Sequence, residues 1–212
     1  IPARDGKLYY LDEEGSWWRV FLLIENTISR DLPDSPEMFK ACGRAFGRFQ
    51  RMLDDFPADS LAETIPHFHD TPWRMEQLEK AAREDPLGRL SEVRAEVDFC
   101  MRRADWAGRL MEGLRDGTLP LRVTHNDTKL NNVMLDAESG EPVCVVDLDT
   151  VMPGLVACDY GEAIRTGAST APEDELNLCC IDLSLPLTKA YTRGFLEELG
   201  NALTPEIHGY RP

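Results

Sequence analysis

Long apolar runs are missing from this 212-residue chain, so no stretch reaches the length of a membrane span, and its first residues resemble no signal peptide. A membrane is therefore not an expected partner, and the cytoplasm is the expected location. Positive charge is scarce: 23 Lys and Arg stand against 38 Asp and Glu, a formal net charge of -15. Such a field repels nucleic acid and anionic lipid surfaces, and a negatively charged nucleotide binds only where cations or local donors help it. The six cysteines (Cys42, Cys100, Cys144, Cys158, Cys179, Cys180) contain no C-x-x-C pair, so reduced, mostly buried thiols are expected. Internal repeats and low-complexity segments are absent too. What remains, 42% hydrophobic and 29% charged residues, is ordinary globular composition with enough chain for one sizeable core or two small lobes sharing a cleft.

Aromatic and β-branched residues at 6–10 and 17–24 flank the polar turn Asp12-Glu13-Glu14-Gly15 and predict a β-hairpin. A lone hairpin is marginal in water, so strands not contained in this chain are expected beside it. Residues 24–36, IENTISRDLPDSP, read as a linker running into a helix, with Ser35 as N-cap and Pro36 in the first turn. Met38, Cys42, Ala45, Phe49 and Met52, with Phe39, Phe46 and Leu53 alongside, repeat at helical spacing. Asp70-Thr71-Pro72 starts a second helix. Leu90, Val93, Val97, Cys100, Ala104, Met111 and Leu114 then form one apolar stripe ending near Gly117, which predicts a longer helix. From Leu121 the texture changes to short strands: LRVT, NVML, a turn DAESGEP, and VCVVD. A short helix is expected around 159–165, a polar loop to about 177, and a final helix over about 186–199.

Between the strands expected at 121–124 and 132–135 lies THNDTKLNN, and VVDLDT follows at 145–150. Charged and amide groups so near buried strands are costly unless something pairs with them, and the partners this set suits are metal ions and phosphate. Phosphoryl transfer needs an acceptor hydroxyl aligned with the phosphorus, magnesium on the phosphate oxygens, and a carboxylate to orient or deprotonate the hydroxyl. Asp127 suits the last role. Asn132 supplies a neutral oxygen for a hard cation and Asp147 a charged one. The fifteen residues from Asn132 to Asp147 suit one β-hairpin that returns the chain to the same site. Lys129 can approach the transferring phosphate as a point charge.

HNDTKLNN followed by VVDLDT resembles the H-x-D-x-x-x-x-N and D-x-D elements of the aminoglycoside phosphotransferase and choline kinase superfamily, which shares the protein-kinase-like fold. The run from about Ile65 through CVVDLDTVMPGL and GEAIRTGAST is similar to bacterial N-acetylhexosamine 1-kinases and covers most of the chain. The resemblance implies that Asp127 is the catalytic base or hydroxyl-orienting carboxylate and that Asn132 and Asp147 hold Mg2+. It implies that His125 braces the catalytic loop, that Asp149 supports a second metal or its own loop, and that the backbone of Glu25, Asn26 and Thr27 is the hinge that binds the adenine of ATP. The implied fold is α+β. Residues 28–212 would be a protein-kinase-like C-terminal lobe, mainly helical with short β-hairpins around the catalytic loop, and residues 1–27 the last β-hairpin of the N-terminal nucleotide lobe with the hinge. The Gly-rich loop, strand lysine and partner glutamate of such kinases have no counterpart before Ile1, and the closing helices none after Pro212. The chain is thus expected to be a fragment, a poor catalyst alone, and prone to self-association through its hairpin edge.

The activity implied is ATP- and Mg2+-dependent phosphorylation of a small molecule, the anomeric hydroxyl of an N-acetylhexosamine, to the sugar 1-phosphate. A same-fold alternative is a kinase for a cationic acceptor such as choline or an aminoglycoside. DLD in place of D-F-G, with no A-P-E after it, speaks against a protein kinase. A non-catalytic kinase-like binding module is the reading from another class; the intact Asp127, Lys129, Asn132 and Asp147 argue against it. Elsewhere, HFHD at 67–70 reads as a helix-start turn rather than a metal site, since His125 and His208 are the only other histidines. Of Trp17 and Trp18, which face opposite sides of a strand, one is expected in a core. Arg165 is expected to meet a surface acid, and Cys179-Cys180 carries no assigned function.

Overall fold

In the computed structural model, which describes residues 1–202, Asp12 builds the first turn. Its Oδ1 accepts from the N–H groups of Glu14 at 3.0 Å and Ser16 at 2.8 Å, and its Oδ2 from Trp18 Nε1 at 2.7 Å. That turn pairs β1 (Tyr10–Leu11) with β2 (Trp17–Trp18), Tyr10 opposite Trp18. The hairpin is shorter than predicted, and residues 20–24 form no strand. With no third strand beside it among the described residues, each further pair would gain too little to offset its ordering cost. Trp17 and Trp18 are both exposed, so neither reaches a core as the sequence suggested. An unpredicted strand, β3 (Thr27–Ile28), follows instead.

Ser35 Oγ accepts from Met38 N–H at 3.2 Å and opens α1 (Pro36–Met52), as its sequence requires. Asp70 does the same for α2 (Thr71–Glu84) through Trp73 N–H, and His67 both bonds Asp70 and stacks on Trp73, so HFHD is a helix-start turn. The single long helix expected next is broken into α3 (Arg94–Met101), α4 (Ala104–Ala107) and α5 (Arg109–Asp116). Gly113 is their one buried residue, so tertiary packing does little to hold a continuous helix together through Arg102-Arg103 and Gly108. The chain leaves α5 at Gly117, whose φ of 81° favours glycine.

The second half alternates β4 (Arg122–Thr124), β5 (Val133–Asp136), β6 (Pro142–Val145), β7 (Met152–Gly154), α6 (Val156–Gly167) and α7 (Leu185–Leu199). One antiparallel sheet runs β3-β5-β6, with Ile28 opposite Leu135 and Val133 opposite Val145; β4 and β7 form a second, with Thr124 opposite Met152. The expected α+β class is the observed one. The core lies where α1 packs on α7, with β6 against α1 and α6 against α7: Phe39, Cys42, Phe46, Leu130, Val133, Leu135, Ala163, Tyr191, Phe195 and Leu199 are buried together. Each such large side chain contributes about 1.5–3 kcal/mol. Gly43 faces the Tyr191 carbonyl and Gly194 the Lys40 carbonyl, so the two helices touch backbone to backbone. The cysteines are all free, but only Cys42 is fully buried, and Cys179 and Cys180 are exposed, against the expectation of mostly buried thiols. No described helix is long and apolar enough to cross a membrane.

Candidate active site

The loop between β4 and β5 hangs from one buried carboxylate. Asp159, in the first turn of α6, accepts from His125 N–H at 2.9 Å, Asn126 N–H at 2.8 Å and Gln50 Nε2 at 2.8 Å, and its carbonyl accepts from Thr128 Oγ1. Burial pushes the Asp159 carboxyl upward in pKa, against the pull of the His125 and Asn126 N–H groups. His125 lies fully buried, edge-on to Phe46 and Phe49. Its Nδ1 accepts from Asp127 N–H at 3.3 Å, and its Nε2 meets the Val146 carbonyl at 2.9 Å, which fits a neutral ring protonated at Nε2. Thr150 Oγ1 donates to the His125 carbonyl at 2.7 Å and Asn126 Nδ2 to the Thr150 carbonyl at 2.9 Å. The loops carrying Asp127 and Asp147 are thereby stitched to each other.

Two residues of these loops take the left-handed backbone, Asn126 with φ 65° and Asp147 with φ 59°. Such a conformation costs a residue with a Cβ about 1–2 kcal/mol, and the surrounding hydrogen bonds hold it. Its effect is to aim the adjoining carboxylates. Asp127 Oδ2 accepts from Asn132 Nδ2 at 3.0 Å, and the same nitrogen reaches the Asp127 carbonyl at 2.9 Å. Val146 N–H donates to the Asn132 carbonyl at 2.9 Å, which sets Asp147, the next residue, beside Asn132. Asp127 and Asn132 are therefore in direct contact, and the hairpin expected between Asn132 and Asp147 returns the backbone to Asn132. Lys129 stands on the other side, its Nζ 3.9 Å from Asp127 Oδ1 and 3.4 Å from Glu173 Oε2.

The remaining expected residues lie around this group. Asp149 holds Arg19, whose Nη2 is 2.6 Å from Oδ1 and 2.8 Å from Oδ2. Thr27 pairs with Asp136 of β5, the Asn26 carbonyl accepts from Ala137 N–H at 2.9 Å, and Glu25 is exposed next to them. The segment expected to be the adenine hinge is thus strapped to the strand that follows Asn132. Arg165 meets surface acids as expected, Glu162 and Glu173, each at 2.7 Å. Sequence reasoning passed over Asp159, Gln50, Thr150 and Glu173. Only Asp159 left a signal, an acid inside an apolar helical pattern with no charged neighbour of opposite sign nearby.

The donor set fits magnesium. Among the described residues no three His, Cys, Asp or Glu side chains converge on a metal position. What the site offers is the Asn132 amide oxygen, without a partner among the described residues, and the exposed Asp147 carboxylate. A hard cation that keeps waters and borrows substrate phosphates asks for this kind of sparse oxygen set. A separate cavity of about 270 Å³ lies behind the loop, bordered by His69, Asn126, Met152, Leu155 and Cys158 but not by Asp127.

A family model described as "Phosphotransferase enzyme family" matches residues 6–201. Among solved structures, an aminoglycoside-3'-phosphotransferase of type VIII is similar at 20% identity, with a TM-score of 0.42 over 84% of this chain. The chain spans 60% of that protein's length.

Proposed function

The chain belongs to the phosphotransferase enzyme family, and from that premise we propose that it carries the catalytic loop of an ATP- and Mg2+-dependent kinase for the anomeric hydroxyl of an N-acetylhexosamine. One observation carries the reading: Asn132 Nδ2 bonds Asp127 Oδ2 at 3.0 Å while Lys129 comes no nearer than 3.9 Å to Oδ1, which has no hydrogen bond among the described residues and can take a hydroxyl proton. Asp127 then orients the acceptor hydroxyl toward the phosphorus, a positioning role that costs nothing further because His125 and Asn132 already fix the loop. Lys129 sits close enough to steady charge on the transferring group. Magnesium, held by Asn132 and Asp147, would neutralise the phosphate oxygens of the nucleotide.

The sugar is supported by the sequence resemblance from Ile65 to Thr170 and by local charge. Two acids of the site are already paired, Glu173 with Lys129 and Arg165, and Asp149 with Arg19. A cationic acceptor is the second reading, favoured by the net charge of -15. The test is ADP release by the intact protein with MgATP across N-acetylglucosamine, N-acetylgalactosamine, choline and an aminoglycoside, beside Asp127→Asn. The expected result is sugar-dependent turnover that falls about 10²–10⁴-fold in the variant. Turnover with cationic acceptors alone would replace the sugar reading, and silence with every acceptor would remove the kinase reading.

A further inference from the structure

Glu173 lies in the loop between α6 and α7, whose base is fixed: Ser184 N–H donates to the Ala168 carbonyl at 2.8 Å, Thr170 N–H to the Asp182 carbonyl at 2.9 Å, and Ala168 and Ala171 are buried. The carboxylate two residues beyond Ala171 is therefore held in place. Its Oε2 meets Lys129 at 3.4 Å and its Oε1 meets Arg165 at 2.7 Å. Glu162 grips the same guanidinium at Nε and Nη2, at 3.0 and 2.7 Å, which fixes Arg165 in turn. The Arg165 guanidinium, with Lys129 behind it, holds the Glu173 carboxyl below the usual carboxylate range, so it is ionised at neutral pH.

The side of Asp127 that Glu173 faces matters. Oδ2 is bound to Asn132, toward the metal ligands, while Oδ1 looks toward Lys129 and, past it, Glu173. An acceptor hydroxyl that uses Oδ1 must approach from the Glu173 side. Because both carboxylates share one ammonium, at 3.9 and 3.4 Å, they lie no farther apart than the sum of those distances, within the span of one sugar ring. A carboxylate has about four lone-pair positions, and Glu173 spends two on its cations. Half exposed, it keeps the others for a ligand.

We propose that Glu173 is an acceptor-specificity residue: its carboxylate takes a hydrogen bond from a second hydroxyl of an uncharged, polyhydroxylated acceptor whose reacting hydroxyl lies at Asp127 Oδ1. An uncharged acceptor fits because a cation brought to Glu173 would stand beside Lys129 and Arg165, which already lie against its two carboxylate oxygens. This rests on the phosphotransfer reading above.

The experiment compares the intact wild type with Glu173→Gln and Glu173→Asp, by steady-state kinetics and by ligand-observed NMR of N-acetylglucosamine and of an aminoglycoside. Loss of a hydrogen bond to a charged group corresponds to about a tenfold or larger rise in the sugar KM. The KM for MgATP stays in place, and Glu173→Asp recovers part of the loss. A rise in the KM for MgATP with the sugar KM unchanged would assign Glu173 to the phosphate side and overturn the proposal. A greater loss for the aminoglycoside than for the sugar would overturn the uncharged acceptor. Should the wild type release no ADP, the phosphotransfer reading fails by itself. In that case, sugar binding that weakens in Glu173→Gln still supports the Glu173 contact, and equal binding, or none, overturns it.

Discussion

Gln50 in α1 donates its amide to Asp159 in α6 at 2.8 Å, and the same nitrogen reaches the Val123 carbonyl at 3.1 Å. The helix that brings Phe39, Cys42 and Phe46 to the core thus also fixes the carboxylate from which the β4–β5 loop hangs. Arg122 adds to the arrangement, bonding the Gln50 carbonyl at 3.1 Å and Asp54 at 2.6 Å. Core packing and loop geometry are consequently one structure, and damage to either reaches the other.

Asp159→Ala removes the acceptor of two buried backbone N–H groups at once. The expected cost is about 3 kcal/mol of stability, since each stranded donor loses its hydrogen bond without regaining water. Activity should fall further than the loss of folded protein explains, because Asp127 is no longer aimed. Urea unfolding followed beside turnover per folded molecule checks both; full turnover per folded molecule would detach the loop from its anchor.

Asp147 and Asp149 should separate in a magnesium titration. Asp147 is exposed and follows the backbone bond that seats it beside Asn132, whereas Asp149 is engaged with Arg19. Asp147→Asn is expected to raise the Mg2+ concentration for half-maximal activity about tenfold or more. Asp149→Asn should move it little, and Arg19→Ala should reproduce whatever Asp149→Asn does, as an exposed pair is worth at most about 1 kcal/mol. A large shift for Asp149→Asn would make it a metal ligand.

Thiol chemistry reports on the same fold. Burial pushes the Cys158 thiol to about 11 and the Cys42 thiol higher still. At pH 8 both stay protonated, so a thiolate-selective reagent should reach the exposed Cys179 and Cys180 first, and Cys42 and Cys158 only on unfolding. Mass spectrometry of partially labelled protein distinguishes this from uniform reaction.

What the sequence made legible was local. Ser35 and Asp70 announce their helices because a cap acts within three residues, and Asn132 to Asp147 announces its hairpin because strand, turn and strand are contiguous. β7 was hidden by Pro153 and Gly154, residues that argue against a strand until β4 is beside them to accept the pairing. The break within 94–116 was hidden for the opposite reason: its periodicity is helical throughout, and only the scarcity of buried contacts ends each segment. Asp159, Gln50 and Glu173 act on partners 34, 109 and 44 positions away, distances over which no spacing rule operates.

The contact of α1 with α7 offers two substitutions of opposite sign. The Tyr191 hydroxyl is buried among the core side chains with no hydrogen-bond partner among the described residues, and burial pushes its pKa far up. Tyr191→Phe removes an unpaired polar group while keeping the ring against Phe39 and Phe195. It should stabilise the protein by about 1 kcal/mol. Gly194→Ala places a methyl group against the Lys40 carbonyl, where backbone rather than a flexible side chain must yield. That change should destabilise by about 1–3 kcal/mol. Paired urea melts read both, and the sign of the first is the sharper test. A loss of stability in Tyr191→Phe would mean that the hydroxyl has a partner, and the packing of Tyr191, the largest fully buried side chain among the described residues, would then be polar as well as aromatic.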